Sequence, residues 1–254
     1  MFDGANLAAI GDVLLRPGTW FLIVVVAIAG VVRGFSGFGG ALIFIPLASA
    51  VLGPRFAVPV FYLVDLCTAL PYGLRSIRRA SMPEIMPMLV GSWIGTPFGA
   101  WILSNTDPLA LRWGTNVLVL AMLGLLASGW RYSNEPKASV SFTVGITGGV
   151  LGAAAGVSGP VIIAYWLGSR SPAATIRANI MVYYALAALG TDAVFYLRGM
   201  FGLETLIYAA VAVPIYGLGL VFGARVFKGS TDRQYRIAAF VLIAVSAVVS
   251  LPIF

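Results

Sequence analysis

Apolar residues recur in stretches along the whole chain and are separated by short polar or glycine-rich segments. Ten stretches are continuous enough to predict helices, at residues 18–32, 40–53, 56–77, 84–104, 111–130, 140–153, 157–168, 174–197, 203–226 and 235–253. Six of these reach the roughly 20 residues that a helix needs to cross a bilayer, and the other four are shorter. The pattern predicts an all-α, polytopic membrane protein with no separate soluble domain.

The first two apolar runs, Thr19 to Val32 and Ala41 to Leu52, are joined by the segment Arg33-Gly34-Phe35-Ser36-Gly37-Phe38-Gly39-Gly40, called here the first glycine break. As one helix the whole stretch would be about 51 Å long, whereas the hydrocarbon core is roughly 30 Å thick and each run alone reaches about 20 Å. We therefore expect two short helices that meet inside the membrane. Irregular backbone is tolerated there only where protein or a water-filled cavity covers it, so the break is a candidate lining of a binding site.

Composition supports the membrane assignment and excludes several activities. Hydrophobic residues make up 60% of the 254 residues and charged residues only 10%, with a mean hydropathy of +0.96. Cys67 is the single cysteine and histidine is absent, which removes intrachain disulfides, the commonest metal ligand and the commonest general base. We predict no metal, no cofactor and no enzymatic activity.

The charged residues are best explained by membrane topology. The net charge of +7 is attributed to loops rather than to nucleic-acid binding, because no soluble basic face is present. The first twenty residues carry Asp3 and Asp12 before the first basic residue, Arg16. This start is unlike that of a cleaved signal peptide, so we expect the first helix to be retained.

The sequence repeats itself at a distance of roughly 120 residues. The matching segments are Gly37–Gly40 with Gly156–Gly159, Gly95–Ala100 with Gly219–Ala224, Thr106-Asp107 with Thr231-Asp232, and Phe61-Tyr62 with Tyr183-Tyr184. Their common order indicates duplication. We assign residues 1–130 to the first membrane repeat, 131–138 to the linker and 139–254 to the second repeat, and we call residues 156–159 the second glycine break.

Lysines and arginines distinguish two arrangements of these repeats. If the segments at each glycine break enter the membrane and return, each repeat has three full crossings, and one side collects eleven basic residues against four. If each break only interrupts a crossing, the count is seven against eight. The positive-inside rule favours the first arrangement. It predicts two inverted repeats, each with a re-entrant pair of short helices and three long transmembrane helices, and both termini outside.

Inverted repeats with broken segments at matching positions are typical of secondary transporters with a site near the membrane midplane. Helices that begin at the breaks present free N–H groups and the positive end of the helix dipole, which favours an anion. The candidate substrate-binding residues are Arg33, Ser36, Gly37, Phe38, Gly39 and Gly40 in the first break and Gly156, Val157, Ser158 and Gly159 in the second. Arg33 aligns with Gly152, so a full charge is present in one repeat only.

Several residues keep alternative interpretations. Arg33 either binds the substrate, reaches a membrane surface or pairs with an acid. Asp65 either pairs with Arg33, carries a coupled proton or makes a structural hydrogen bond, and Asp192 is a weaker candidate because it is nearer a helix end. Five aromatic residues either line a cavity or form interfacial belts, namely Tyr62, Tyr165, Trp166, Tyr183 and Tyr184. Two glycine series, at positions 91, 95 and 99 and at positions 217, 219 and 223, are interpreted as close helix packing.

The chain resembles the TauE/SafE sulfite exporter family of bacterial membrane permeases. The resemblance is carried by Gly34–Gly40 followed by Pro46, by the second copy at Gly149–Pro160, and by the paired stretches Gly95–Ala100 and Gly219–Ala224. It implies transport of sulfite, sulfoacetate, related sulfonates or other small organic anions across the bacterial inner membrane. The family is often described with seven or eight spans, whereas the charge count predicts six full-length helices and two hairpins.

These observations together predict a secondary transporter for a small anion, with a sulfonate or sulfite favoured. An anion channel of the same architecture remains open, and a membrane scaffold or an enzyme is less favoured. The predicted partners are the small anionic substrate and the lipid bilayer, without nucleic acid, and a homodimer is compatible with the sequence.

Overall fold

The structure is a computed structural model that describes residues 17–36, 39–129, 137–167 and 171–227, together with residue 248. Within these residues it is helical and contains no strand. The helices, numbered in chain order, are α1 Pro17–Ser36, α2 Gly40–Leu52, α3 Pro54–Ser76, α4 Met82–Asn105, α5 Pro108–Ala127, α6 Ala138–Ala155, α7 Gly159–Leu167, α8 Ala173–Leu197 and α9 Leu203–Phe227, with a 3-10 turn at Ile77–Arg79 after α3. The predicted last helix at 235–253 and most of the predicted linker lie outside the described residues.

Six of the described helices are long and apolar enough to cross a membrane, namely α3, α4, α5, α6, α8 and α9. Shorter apolar helical stretches occupy Gly18–Gly34 in α1 and Gly40–Leu52 in α2. The prediction of an all-α, multi-pass membrane protein is therefore confirmed.

The helices that precede the two glycine breaks are longer than the sequence pattern predicts. Helix α1 has 20 residues and α6 has 18 residues, which corresponds to about 30 and 27 Å. Only the helices that follow the breaks are short, with 13 residues in α2 and 9 in α7. The difference arises because α1 continues through Arg33 and α6 begins at Ala138, and helical backbone does not require the apolar side chains by which the segments were recognised.

Each glycine break contains a glycine in the left-handed region of backbone space. Gly39 immediately precedes α2 with φ 90°, and Gly156 ends α6 with φ 69°. This region disfavours residues with a Cβ atom, so glycine permits the sharp change of direction at both places. The N–H of Gly156 still donates to the carbonyl of Gly152 at 2.7 Å.

Glycines bring two pairs of helices into backbone contact. Helix α4 packs most extensively against α6, and α1 against α9. A Cβ atom at Gly95 would overlap the carbonyl oxygen of Ile146, and one at Gly34 would overlap that of Leu220. The packing interpretation of the glycine series is confirmed at positions 91, 95, 99 and 219.

Two further glycine contacts occur at matching positions of the predicted sequence repeat. The alignment of the glycine breaks pairs Gly30 with Gly149, and the alignment that contains Gly95–Ala100 pairs Ser92 with Tyr216. In the structure Gly149 faces the backbone of Ser92, and Gly30 faces the backbone of Tyr216. Each close helix pair thus combines one helix from each half of the chain, and the two halves interlock.

Helices α3 and α8 lie between these two pairs. Helix α9 packs on α3, α3 packs on α8, and α8 packs on α4. The ring of Tyr62 contacts that of Phe195, with centroids 5.7 Å apart, whereas Ser76 near the other end of α3 bonds to the sulfur of Met181 at 3.4 Å. Numbers rise along α3 as they fall along α8, so the two helices run antiparallel.

Candidate functional site

An ion pair lies in the interior where α1 meets α3. Nη2 of Arg33 is 3.1 Å from Oδ2 of Asp65, and the side chains are only 11% and 10% exposed. Arg33 is in the last turn of α1, and Asp65 is at the middle of α3. Pairing with Arg33 was one of the predicted roles of Asp65, and this role is confirmed. Each charge offsets the cost of burying the other in the membrane interior.

Two tyrosines connect the ion pair to the second half of the chain. The hydroxyl of Tyr216 in α9 donates to Oδ1 of Asp65 at 3.1 Å. The guanidinium carbon of Arg33 lies 5.2 Å from the ring centroid of Tyr184 in α8, within the range of a cation–π interaction. Both carboxylate oxygens of Asp65 therefore have a partner, and the pair is held by α1, α3, α8 and α9.

A small cavity adjoins this ion pair. Its volume of about 30 Å³ gives room for about two water molecules. Asp65 and Tyr184, which both contact Arg33, belong to its wall. The full lining is Tyr62, Asp65, Ser92, Gly148, Gly149, Ser158, Tyr183, Tyr184, Ala187, Ala188 and Thr191. The wall therefore combines one paired carboxylate with six hydroxyl groups.

The N-terminal end of α7 reaches the same cavity. Ser158 directly precedes α7, its carbonyl accepts from the N–H of Ile162 at 3.3 Å, and it is one of the lining residues. The first N–H groups of a helix have no partner within the helix, and the helix dipole is positive at this end. The hydroxyl of Tyr184 is buried and has no hydrogen-bond partner among the described residues. The cavity therefore offers donors and positive potential to an oxyanion.

The two glycine breaks lie next to each other. Gly156 is packed against Ile45 of α2, and a Cβ atom there would lie 3.7 Å from that of Ala41. A Cβ atom at Gly40 would lie 2.6 Å from the Tyr216 hydroxyl. The expectation that both breaks contribute to one region is consistent with these contacts.

The unequal charge of the two breaks has a steric explanation. A Cβ atom at Gly152, the counterpart of Arg33, would lie 2.6 Å from the hydroxyl of Tyr62. Tyr62 and Tyr184 are counterparts in the repeat as well. Tyr184 therefore stacks on Arg33, whereas Tyr62 occupies the space that a side chain at position 152 would need.

The remaining predicted site residues differ in where they lie. Ser158, Tyr62, Asp65 and Tyr184 line the cavity, and Arg33 contacts two of its lining residues. Gly39, Gly40, Gly156, Val157 and Gly159 lie in the two breaks but are not among the lining residues, and Val157 is packed in the hydrophobic core. Ser36 ends α1, and Gly37 and Phe38 lie outside the described residues.

Tyr165 is not among the residues that line the cavity. Its hydroxyl forms a 2.6 Å hydrogen bond with the hydroxyl of Ser141, and its ring packs in a separate hydrophobic cluster with Trp166 and Tyr183. Helix α7 is apolar on every side, so the sequence does not indicate which of its faces turns to the cavity. Tyr165 therefore packs in a hydrophobic cluster rather than lining this cavity, and a cavity role elsewhere stays a prediction.

Three functional candidates were missed by sequence reasoning, namely Ser92, Thr191 and Tyr216, whereas Tyr183 was among the aromatic residues predicted to line a cavity or form a belt, and it lines this cavity. Ser92 and Tyr216 carry a recognisable signal, because they occupy matching positions of the repeat and flank the glycine series of α4 and α9. Thr191 carries none, since isolated hydroxyl residues are common in transmembrane helices.

A comparison with protein-family models supports the interpretation of the site. The model described as "Sulfite exporter TauE/SafE" matches residues 22–250. No curated protein and no solved structure matches the chain. The matched region includes both glycine breaks, the ion pair and the cavity, and it confirms the resemblance noted in the sequence. The chain therefore belongs to the TauE/SafE sulfite exporter family, a family of membrane transporters.

Proposed function

We propose that this protein is a secondary transporter of a small sulfur oxyanion, a sulfonate or sulfite, and that the cavity beside Arg33 is its binding site. One observation carries the proposal: the N-terminal end of α7, six hydroxyl groups and the Arg33–Asp65 pair converge on one buried space. Hydroxyl and N–H groups donate to the oxygens of such an anion, and the helix dipole favours its charge.

The Arg33–Asp65 ion pair allows the site to bind a negatively charged substrate. Asp65 offsets the charge of Arg33 in the empty site, so the pair as a whole is close to neutral. A forked guanidinium suits the oxygens of a sulfonate as well as those of a carboxylate. An anion that enters the cavity competes with Asp65 for Arg33, and the hydrogen bond from Tyr216 continues to hold the other carboxylate oxygen, Oδ1.

The cavity is small for a sulfonate head group. The cavity has room for about two water molecules, whereas the head group has four heavy atoms. The walls must therefore separate when the head group binds. We propose that α3 and α8 move relative to each other as the site opens alternately to the two sides.

We propose that residues 1–130 and 139–254 are repeats of inverted topology in the bacterial inner membrane, joined by the linker 131–138 and with both termini outside. The antiparallel course of α3 and α8, whose sequences correspond, supports inversion, because equivalent helices of inverted repeats run in opposite directions. The basic loops then collect on the cytoplasmic side.

Cysteine labelling tests the inversion. In a Cys67→Ala background, we expect Arg79→Cys and Arg225→Cys to react with a membrane-impermeant maleimide only from the cytoplasmic side, because inversion places both basic segments there. Arg198→Cys should react only from the opposite side and serves as the control. Labelling of positions 79 and 225 from different sides would contradict the proposed inversion.

Transport in proteoliposomes tests the function. Purified protein should show saturable counterflow of sulfite or a sulfonate, because an alternating site exchanges substrate across the membrane. Taurine, sulfate and carboxylate analogues define the selectivity. Conductance far above the turnover of a carrier would identify an anion channel instead, and binding of neutral or cationic solutes alone would rule out an anion site.

The cavity hydroxyls should contribute directly to anion binding. We expect Ser158→Ala and Tyr184→Phe each to weaken sulfonate binding at least about tenfold, because one hydrogen bond to a charged group is worth roughly 1.5 kcal/mol or more. Tyr165→Phe removes a hydroxyl that lies away from the cavity, so its affinity should stay at the wild-type value. Isothermal titration of the purified variants measures the difference, and equal affinities in all three would exclude this cavity as the site.

A further inference from the structure

Asp192 in α8 is a buried acid without the partners that Asp65 has. It is 6% exposed, and neither Oδ1 nor Oδ2 has a hydrogen-bond partner among the described residues. Asp65 instead receives one donor on each carboxylate oxygen. An ionised carboxylate without a partner is costly in the membrane interior. Asp192 therefore requires either a proton or a cation at this position.

The surroundings of Asp192 favour a proton. Its electrostatic neighbours are Asp65, Tyr62 and Cys67, all on α3, and none of these carries a positive charge. From α4, Trp93 packs against α8 at Gly190 and donates to the carbonyl of Leu186, and its indole does not ionise. A metal ion would need several oxygen ligands, and the described residues contain no group of three His, Cys, Asp or Glu that could hold one.

Asp192 is close enough to the cavity for its charge to matter there. The preceding residue, Thr191, belongs to the lining, and so does Asp65, which interacts electrostatically with Asp192. Arg33 is already paired with Asp65. A negative charge on Asp192 therefore has no described counter-ion and repels an anion in the cavity, whereas a proton removes this repulsion.

We propose that Asp192 binds the proton that is transported together with the anion, an inference that rests on the proposed function. The proton adds to a carboxylate oxygen of Asp192 on one side of the membrane and returns to water on the other. Protonation strengthens anion binding, and by linkage anion binding strengthens protonation. Anion and proton then cross in the same direction.

The test compares the pH dependence of sulfoacetate binding in the wild type, Asp192→Asn, Asp192→Glu and the control Glu204→Gln, which changes an exposed acid at the start of α9. Between about pH 6 and pH 9 the charge of sulfoacetate is constant. Wild-type affinity should fall with rising pH, by up to about tenfold per unit for one linked proton. Asp192→Asn should vary less than about twofold across this range, and Asp192→Glu and Glu204→Gln should keep a slope.

A second measurement does not depend on the folding of any variant. Addition of sulfoacetate to wild-type protein in weak buffer with a pH-sensitive dye should raise the pH, because protons are taken up with the anion. Binding without proton uptake, a wild-type slope in folded Asp192→Asn, or a requirement for sodium in place of protons would overturn the inference alone. Wild-type protein that binds no sulfoacetate at any pH would overturn the proposed function, and this inference with it.

Discussion

Replacement of Arg33 by methionine should both destabilise the protein and abolish anion transport. The substitution leaves Asp65 buried without its counter-ion, and the loss of one partner of a buried pair costs about 3–5 kcal/mol. It also removes a full positive charge that contacts Asp65 and Tyr184 in the lining of the cavity. Unfolding in mixed micelles measures the stability, and counterflow in proteoliposomes measures the transport.

Two further variants separate the pair from a general effect of removing charge. Arg33→Met/Asp65→Asn leaves neither charge alone, so its stability loss should be clearly smaller than that of Arg33→Met, while transport stays lost. Arg55→Met removes an exposed arginine that donates to the carbonyls of Leu103 and Thr106, and it should cost no more than about 1 kcal/mol. Unchanged stability and transport in Arg33→Met would show that the ion pair has no role in either.

Replacement of Gly95 by alanine should destabilise the protein even though alanine favours helix. The new Cβ atom overlaps the carbonyl oxygen of Ile146, so α4 and α6 must separate. Overpacking of this kind costs about 1–3 kcal/mol, and the larger Gly95→Val substitution should reach the upper end of this range. The midpoint of thermal unfolding in detergent measures the change.

The matched control is Gly124→Ala in α5, where a Cβ atom meets nothing within 4 Å. Alanine is the better helix former by up to about 1 kcal/mol, so Gly124→Ala should leave stability unchanged or raise it slightly. The same substitution thus has opposite expected signs at two transmembrane glycines. A loss of equal size at both positions would mean that the contact between α4 and α6 is not the cause.

The long helices could be predicted from the sequence because hydropathy changes sharply at their ends. The predicted stretches 84–104 and 203–226 correspond to helices at Met82–Asn105 and Leu203–Phe227. Helix α1 is longer than predicted, because the apolar run by which it was recognised ends before Arg33, whereas the backbone remains helical to Ser36. The polar residue that marked the end of the apolar run is thus inside the helix.

The site could be predicted only where charge made a residue conspicuous. Arg33 and Asp65 stand out because ionised groups in apolar segments need a partner, and they do form a pair. Tyr216 completes that pair from α9 but looks like any aromatic residue in a transmembrane segment. Asp192 was ranked below Asp65 by its position along α8, whereas burial and hydrogen bonding, which decide its chemistry, depend on tertiary contacts.

Because helices of one half pack against helices of the other, a half-length chain would lack the packing partners of two of its helices. The contacts of α1 with α9 and of α4 with α6 each join the two halves, so a chain ending before residue 131 would expose the glycine surfaces of both α1 and α4. A second copy inserted in the opposite orientation would cover both surfaces at once. If the two halves are the inverted repeats proposed above, an ancestral single-repeat protein would have assembled as an antiparallel, dual-topology dimer, and fragments of the present chain should regain structure only when they are expressed together.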